Sequence, residues 1–145
     1  MKSVPKPVLT FSILGLLPLL LGVILSFFSF NFSTELIEFI IGISLIYAGL
    51  ILSFLGGCLF AFEIKNMTNS SWQSLIFSFL PTLWAFSALS LPHFKASTLA
   101  VGFLVTYELD RKALKNKLAP PWWLKLRLPL TTAVILLLII LGFNV

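Results

Sequence analysis

Residues 108–127 read ELDRKALKNKLAPPWWLKLR, from Glu108 to Arg127, and where this stretch lies decides the fold. It holds six basic and two acidic side chains, a net charge of +4. It separates two apolar segments, 94–109 and 128–143. Basic residues beside membrane spans collect on the cytoplasmic side. If 94–109 crosses the bilayer, the stretch shares a side with Lys2, Lys6 and Lys65. Nine cations then lie inside, and Lys95 alone lies outside. If 94–109 does not cross, seven of the ten lie outside. The first arrangement obeys the rule, so the expected fold is all-α. It is a polytopic membrane bundle of five transmembrane helices, N-terminus inside and C-terminus outside.

Composition points the same way. Of 145 residues, 59% are hydrophobic and 10% charged, with a mean hydropathy of +1.06. A soluble domain carries about 25% charged residues. A chain this small leaves too much surface exposed to hide so much apolar area. A water-soluble globule, a disordered chain and a disulfide-framed secreted domain are all excluded. A single cysteine, Cys58, permits no intrachain disulfide, and a single histidine, His93, permits no bis-histidine haem or multi-ligand zinc site. No metal and no cofactor is expected. The net charge of +5 marks membrane flanks rather than nucleic-acid binding, because no polar domain is present to host a nucleic acid.

One membrane domain, 1–145, accommodates spans at about 8–30, 36–62, 72–91, 94–109 and 128–143, with a cytoplasmic basic loop at 110–127. Residues 64–71 read as a polar loop. Pro81 lies at the centre of the third span and predicts a kink there. Small residues let membrane helices approach. Gly15, Gly22 and Ser29 step by seven, as do Gly42, Gly49 and Gly56. The repeat predicts that the first two spans pack along two glycine stripes. Gly56 and Gly57 are adjacent, and they mark either close packing or a pocket with Tyr47 and Cys58.

No ionisable residue stands at mid-span, where burial is costly and marks function. Glu63 and the other carboxylates fall at span ends. The deep polar groups are hydroxyls: Ser44, Tyr47, Ser53, Ser78, Thr82 and Ser87. No catalytic triad can be assembled and no phosphate loop is present. No catalytic residue is expected, and the chain reads as a non-enzyme.

The basic loop offers a candidate cytoplasmic-face site. Glu108 and Lys112 stand in the favourable order for an i,i+4 pair. Ala119-Pro120-Pro121 stops any helix. Trp122 and Trp123 suit the headgroup level, and Lys125 and Arg127 suit anionic lipid phosphates. Glu108 and Asp110 are expected to meet Arg127 across the loop, as an exposed pair worth about 0–1 kcal/mol, or more if the Trp pair shields it.

The chain resembles the transmembrane protein 69-like family, a domain-of-unknown-function family of bacterial and mitochondrial inner-membrane proteins. The likeness covers nearly the whole chain. It rests on Gly15-Leu16-Leu17-Pro18, on Tyr47 with Ile51-Leu52-Ser53-Phe54-Leu55-Gly56-Gly57, and on Pro81. Tyr107 with Asp110, Pro121 through Trp123, Leu126-Arg127 and Leu130-Thr131 complete it. In the family pattern a His-Trp pair follows the double glycine, whereas this sequence has Leu59 and Phe60 there. The resemblance implies a small multi-pass protein of a bacterial cytoplasmic membrane or a mitochondrial inner membrane, and it implies no activity.

Two functions are compatible with these residues. One is a non-catalytic accessory or assembly factor of an inner-membrane complex, touching the lipid bilayer, anionic headgroups and partner proteins. The other is a carrier or binder of a small apolar molecule, a quinone or lipid, in a pocket near Tyr47, Gly56, Gly57, Pro81 and Trp84.

Overall fold

The computed structural model describes residues 3–28, 32–66 and 71–143. Lys2, Ser29, Phe30, Asn69 and Ser70, used in the sequence reading, lie outside them. The described residues form six helices: α1 (Lys6–Leu14), α2 (Leu17–Phe27), α3 (Thr34–Lys65), α4 (Trp72–Ser90), α5 (Lys95–Lys115) and α6 (Trp123–Phe143). No strand occurs among them.

Four apolar passages are long enough to cross a membrane: Lys6–Phe27, Thr34–Lys65, Trp72–Ser90 and Trp123–Phe143. Helix α5 is not among them, because Glu108, Asp110, Arg111, Lys112 and Lys115 load its last two turns. Its apolar face is nonetheless central. Leu99 and Phe103 are fully buried, and α5 packs against α3, α4 and α6.

Several sequence expectations are corrected. The first span is not one helix, since it breaks at Gly15-Leu16 into α1 and α2. Pro18 has no N–H to offer the Leu14 carbonyl, and it sits in the first turn of α2, where that loss is tolerated. The last helix begins at Trp123, not 128, and runs through Pro129. The expected loop at 110–127 is therefore half helical. Helix α5 continues to Lys115 and is closed well before the Pro120-Pro121 stop. There the Leu118 N–H donates to the Ala113 carbonyl and the Lys117 N–H to the Leu114 carbonyl, with Lys117 at φ 59°. This is a Schellman closure, with lysine where glycine is usual. Helix α4 runs unbroken through Pro81.

The glycine stripes take partners other than those expected. Gly22 does pack α2 on α3, for a Cβ there would fall on the Ser44 side chain. Gly49 and Gly56 instead face α4. Added Cβ atoms would meet Leu89 Cδ1 at 2.7 Å and the Ser78 carbonyl oxygen at 2.8 Å. Gly42 meets nothing. The seven-residue step does place Gly49 and Gly56 on one face, but of a different interface. Gly102, which carried no sequence expectation, packs closely between α3 and α4: a Cβ would lie 2.6 Å from Trp84 Cδ1 and 2.7 Å from Leu52 Cδ2. Three of the six deep hydroxyls return to their own helices: Ser44 to the Ile40 carbonyl, Ser78 to that of Leu75 and Ser87 to that of Leu83. Ser53 and Thr82 bond between α3 and α4.

Candidate functional site

Beside the α1–α2 break lies a cavity of about 660 Å³. Its walls come from four sides. Val8 and Phe11 of α1, with Gly15 and Leu16 of the break, form one. Tyr47, Ile51, Leu55 and Cys58 of α3 form the second. Phe103 of α5 and then Trp123, Arg127 and Val134 of α6 complete it. The lining residues Phe11 and Phe54 are 75% and 70% exposed, so the cavity opens onto the outer surface of the bundle. Its volume is that of a small-molecule site, about 300–1,000 Å³.

The break supplies one wall and has its own support. The Tyr47 hydroxyl donates to the Gly15 carbonyl at 2.8 Å. Irregular backbone at membrane depth is tolerated where protein or a cavity takes it up. Here a tyrosine from α3 pins it.

The charged residue among the described lining of the cavity is Arg127. Its Nε donates to Asp110 Oδ2 at 2.8 Å, and the two side chains are 5% and 0% exposed. The Trp123 indole N–H donates to the other carboxylate oxygen, Oδ1, also at 2.8 Å. Both oxygens of Asp110 are therefore held by donors from the first turns of α6. Phe62 stands edge-on to Trp123 with ring centroids 5.0 Å apart, and Trp122 lies tilted at 6.0 Å. This arrangement is why α6 starts early: the WWLKLR segment is drawn into the bundle by the α5 carboxylate. Two buried polar atoms have no partner among the described residues, Arg127 Nη2 and, one turn along α6, Thr131 Oγ1.

The exposed pair expected across the loop is thus corrected on two counts. Asp110–Arg127 is buried. Glu108 takes neither Arg127 nor Lys112 but accepts from Arg111 Nη1 at 2.8 Å on the surface. That hydrogen bond, then the Glu108 charge, raises the Arg111 guanidinium above its ordinary range, so it stays ionised.

The remaining sequence candidates fall elsewhere. Trp84 donates to the Thr98 carbonyl at 2.8 Å, tying α4 to α5, and Pro81 is buried against Gly56. Neither lines the cavity. Gly57 faces open space, Pro18 is exposed, and Tyr107 is half-buried outside the cavity. Glu63 lines a separate, smaller cavity of about 100 Å³ with Ser74, Lys112 and Asn116. Leu59 is buried, and Phe60 packs edge-on against Phe79 at 5.4 Å. Phe103 and Val134 had no sequence signal beyond hydrophobicity, and Leu55 stood out only within the tract that carries the family resemblance. His93 is exposed in the α4–α5 turn. Among the described residues no group of three or more His, Cys, Asp or Glu gathers in a way that would hold a metal.

The fold and cavity define an α-helical bundle with apolar passages long enough to cross a membrane and a largely apolar cavity that Arg127 also lines. The chain belongs to the family described as protein of unknown function (DUF3429), whose profile matches residues 4–143. No curated protein and no solved structure matches it.

Proposed function

We propose that this chain is a non-catalytic, five-span protein of a bacterial cytoplasmic membrane, or of the mitochondrial inner membrane in a eukaryote, and that it holds a small amphipathic molecule in the cavity beside α1. Within its family it is the transmembrane protein 69-like kind. The N-terminus faces the cytoplasm or matrix and the C-terminus the opposite side. The observation that carries the reading is the cavity itself. A largely apolar space opens on the bundle surface, and its lining includes a buried arginine whose Nη2 has no partner. A site that accepts lipid-like molecules from the bilayer has this form, with apolar walls and a few polar groups that fix orientation. Native mass spectrometry after gentle extraction tests it. A retained small molecule, lost in Ile51→Trp, is the expected result; an empty wild-type protein defeats the reading.

A second role, as an accessory or assembly factor, is favoured by the surface around the Trp pair. Lys112, Lys115, Lys117 and Lys125 are all exposed there. Such a face suits anionic headgroups or an acidic partner. Affinity purification in mild detergent should recover a stoichiometric partner, released when the four lysines are changed to glutamine.

A further inference from the structure

The charge balance at Arg127 specifies the head of the occupant. Arg127 is 4% exposed and Asp110 fully buried, and their contact at 2.8 Å makes a pair with no net charge. Among the described residues lining the cavity, Arg127 alone carries a full charge. A carboxylate or phosphate entering here would share one guanidinium with Asp110 and leave a net negative charge in a low-dielectric space, which is expensive. A ligand donor cannot use Asp110, which is fully buried and already accepts a hydrogen bond at each oxygen. The Tyr47 hydroxyl hydrogen is already donated to the Gly15 carbonyl, which leaves its oxygen as an acceptor on the cavity wall. Of the two unpartnered buried atoms, Thr131 Oγ1 belongs to a residue outside the cavity lining, whereas Arg127 lines it and its Nη2 is a donor. An uncharged oxygen acceptor satisfies it and disturbs no charge. A donor in an apolar site that stays unpaired is costly, so the site discriminates in favour of a molecule that supplies the acceptor.

We propose, building on the cavity reading above, that the occupant presents an uncharged carbonyl oxygen on an apolar tail to the Arg127 guanidinium. Quinones and glycerides are the two sources of that chemistry, and anionic amphiphiles such as fatty acids are discriminated against.

Trp123 walls the cavity, so intrinsic fluorescence reports its filling. Delipidated full-length protein in detergent is titrated at pH 8 with three probes: decylubiquinone, a brominated monoacylglycerol and a brominated fatty acid of the same chain length. At least one neutral probe should quench saturably, and which of the two does so identifies the source. The fatty-acid anion should bind at least about tenfold more weakly. Asp110→Asn removes the countercharge and should reverse the order in favour of the fatty acid. The wild-type comparison decides the matter if that variant does not fold. A fatty acid that binds wild-type protein as tightly as the neutral probes overturns the inference and leaves the cavity reading intact. Failure of all three to quench saturably overturns both.

Discussion

The two sides of α3 are built differently. Toward α4 it is a close seam: Gly49 meets Leu89, Gly56 meets the Ser78 backbone and Pro81, and Ser53 bonds Thr82. Gly102 extends the tight packing to α5, where Trp84 and Leu52 fill its space. Toward α1 there is instead a cavity, crossed by one hydrogen bond from Tyr47 to the broken first passage. No residue of α1 is buried, whereas eleven residues of α3 are. Hydrophobic drive between helices is weak in lipid, so backbone approach holds the close seam and its absence leaves space on the other side. The buried Asp110–Arg127 pair joins α5 to α6 at the wall of that cavity.

Breaking that pair should have the largest effect. Asp110→Ala leaves Arg127 buried without its countercharge and should cost about 3–5 kcal/mol, read as thermal or denaturant unfolding in detergent. Two residues away, Glu108→Ala removes an exposed ion pair whose side chains are 58% and 57% exposed and should leave stability unchanged. Equal losses in the two variants would show that Asp110 is solvated like its neighbour. Next comes the close seam. Gly102→Ala places a methyl group against Trp84 and Leu52 and should cost about 1–3 kcal/mol by overpacking.

How much of this was legible in the sequence depends on the kind of signal. The apolar passages and the polar end of α5 follow from hydropathy, which is a local property. The seven-residue spacing of Gly49 and Gly56 correctly placed them on one face, but spacing within a helix says nothing about which neighbour lies opposite, and α4 took the place expected for α2. Gly15 to Pro18 carried the signal for a helix break, a proline shortly after a glycine, which uniform hydropathy across 8–30 masked. Asp110 and Arg127 were paired from their charges. Their burial was hidden, because a run of lysines on the same segment reads as solvated and only the three-dimensional packing of Trp123 and Phe62 sorts the one inward arginine from the outward lysines. The cavity was partly visible through Tyr47 and Cys58, whereas Phe103 and Val134 look like any other core residues.

The open side predicts smaller effects. Tyr47→Phe removes the hydrogen bond to the Gly15 carbonyl and should cost about 1 kcal/mol, consistent with single hydrogen bonds in membrane bundles. It should also increase hydrogen–deuterium exchange at residues 14–18 more than anywhere in α4. Uniform exchange across both would mean that Tyr47 does not pin the break.

Gly57 sharpens the comparison most cheaply, since it adjoins the tightly packed Gly56 but faces nothing within 4 Å. A glycine inside a helix is worse than alanine by roughly 0.5–1 kcal/mol when no contact requires it. Gly57→Ala should therefore stabilise the isolated protein slightly, by ~0.5 kcal/mol or less, while Gly56→Ala destabilises it against the Ser78 carbonyl. The same pair of variants also tests the surface in its membrane. If Gly57→Ala is neutral or better in detergent yet lowers recovery of a co-purifying protein, the open face of α3 is where that partner approaches the helix backbone. If it loses stability in the isolated chain, α1 or a bound molecule reaches further around α3 than the cavity walls indicate.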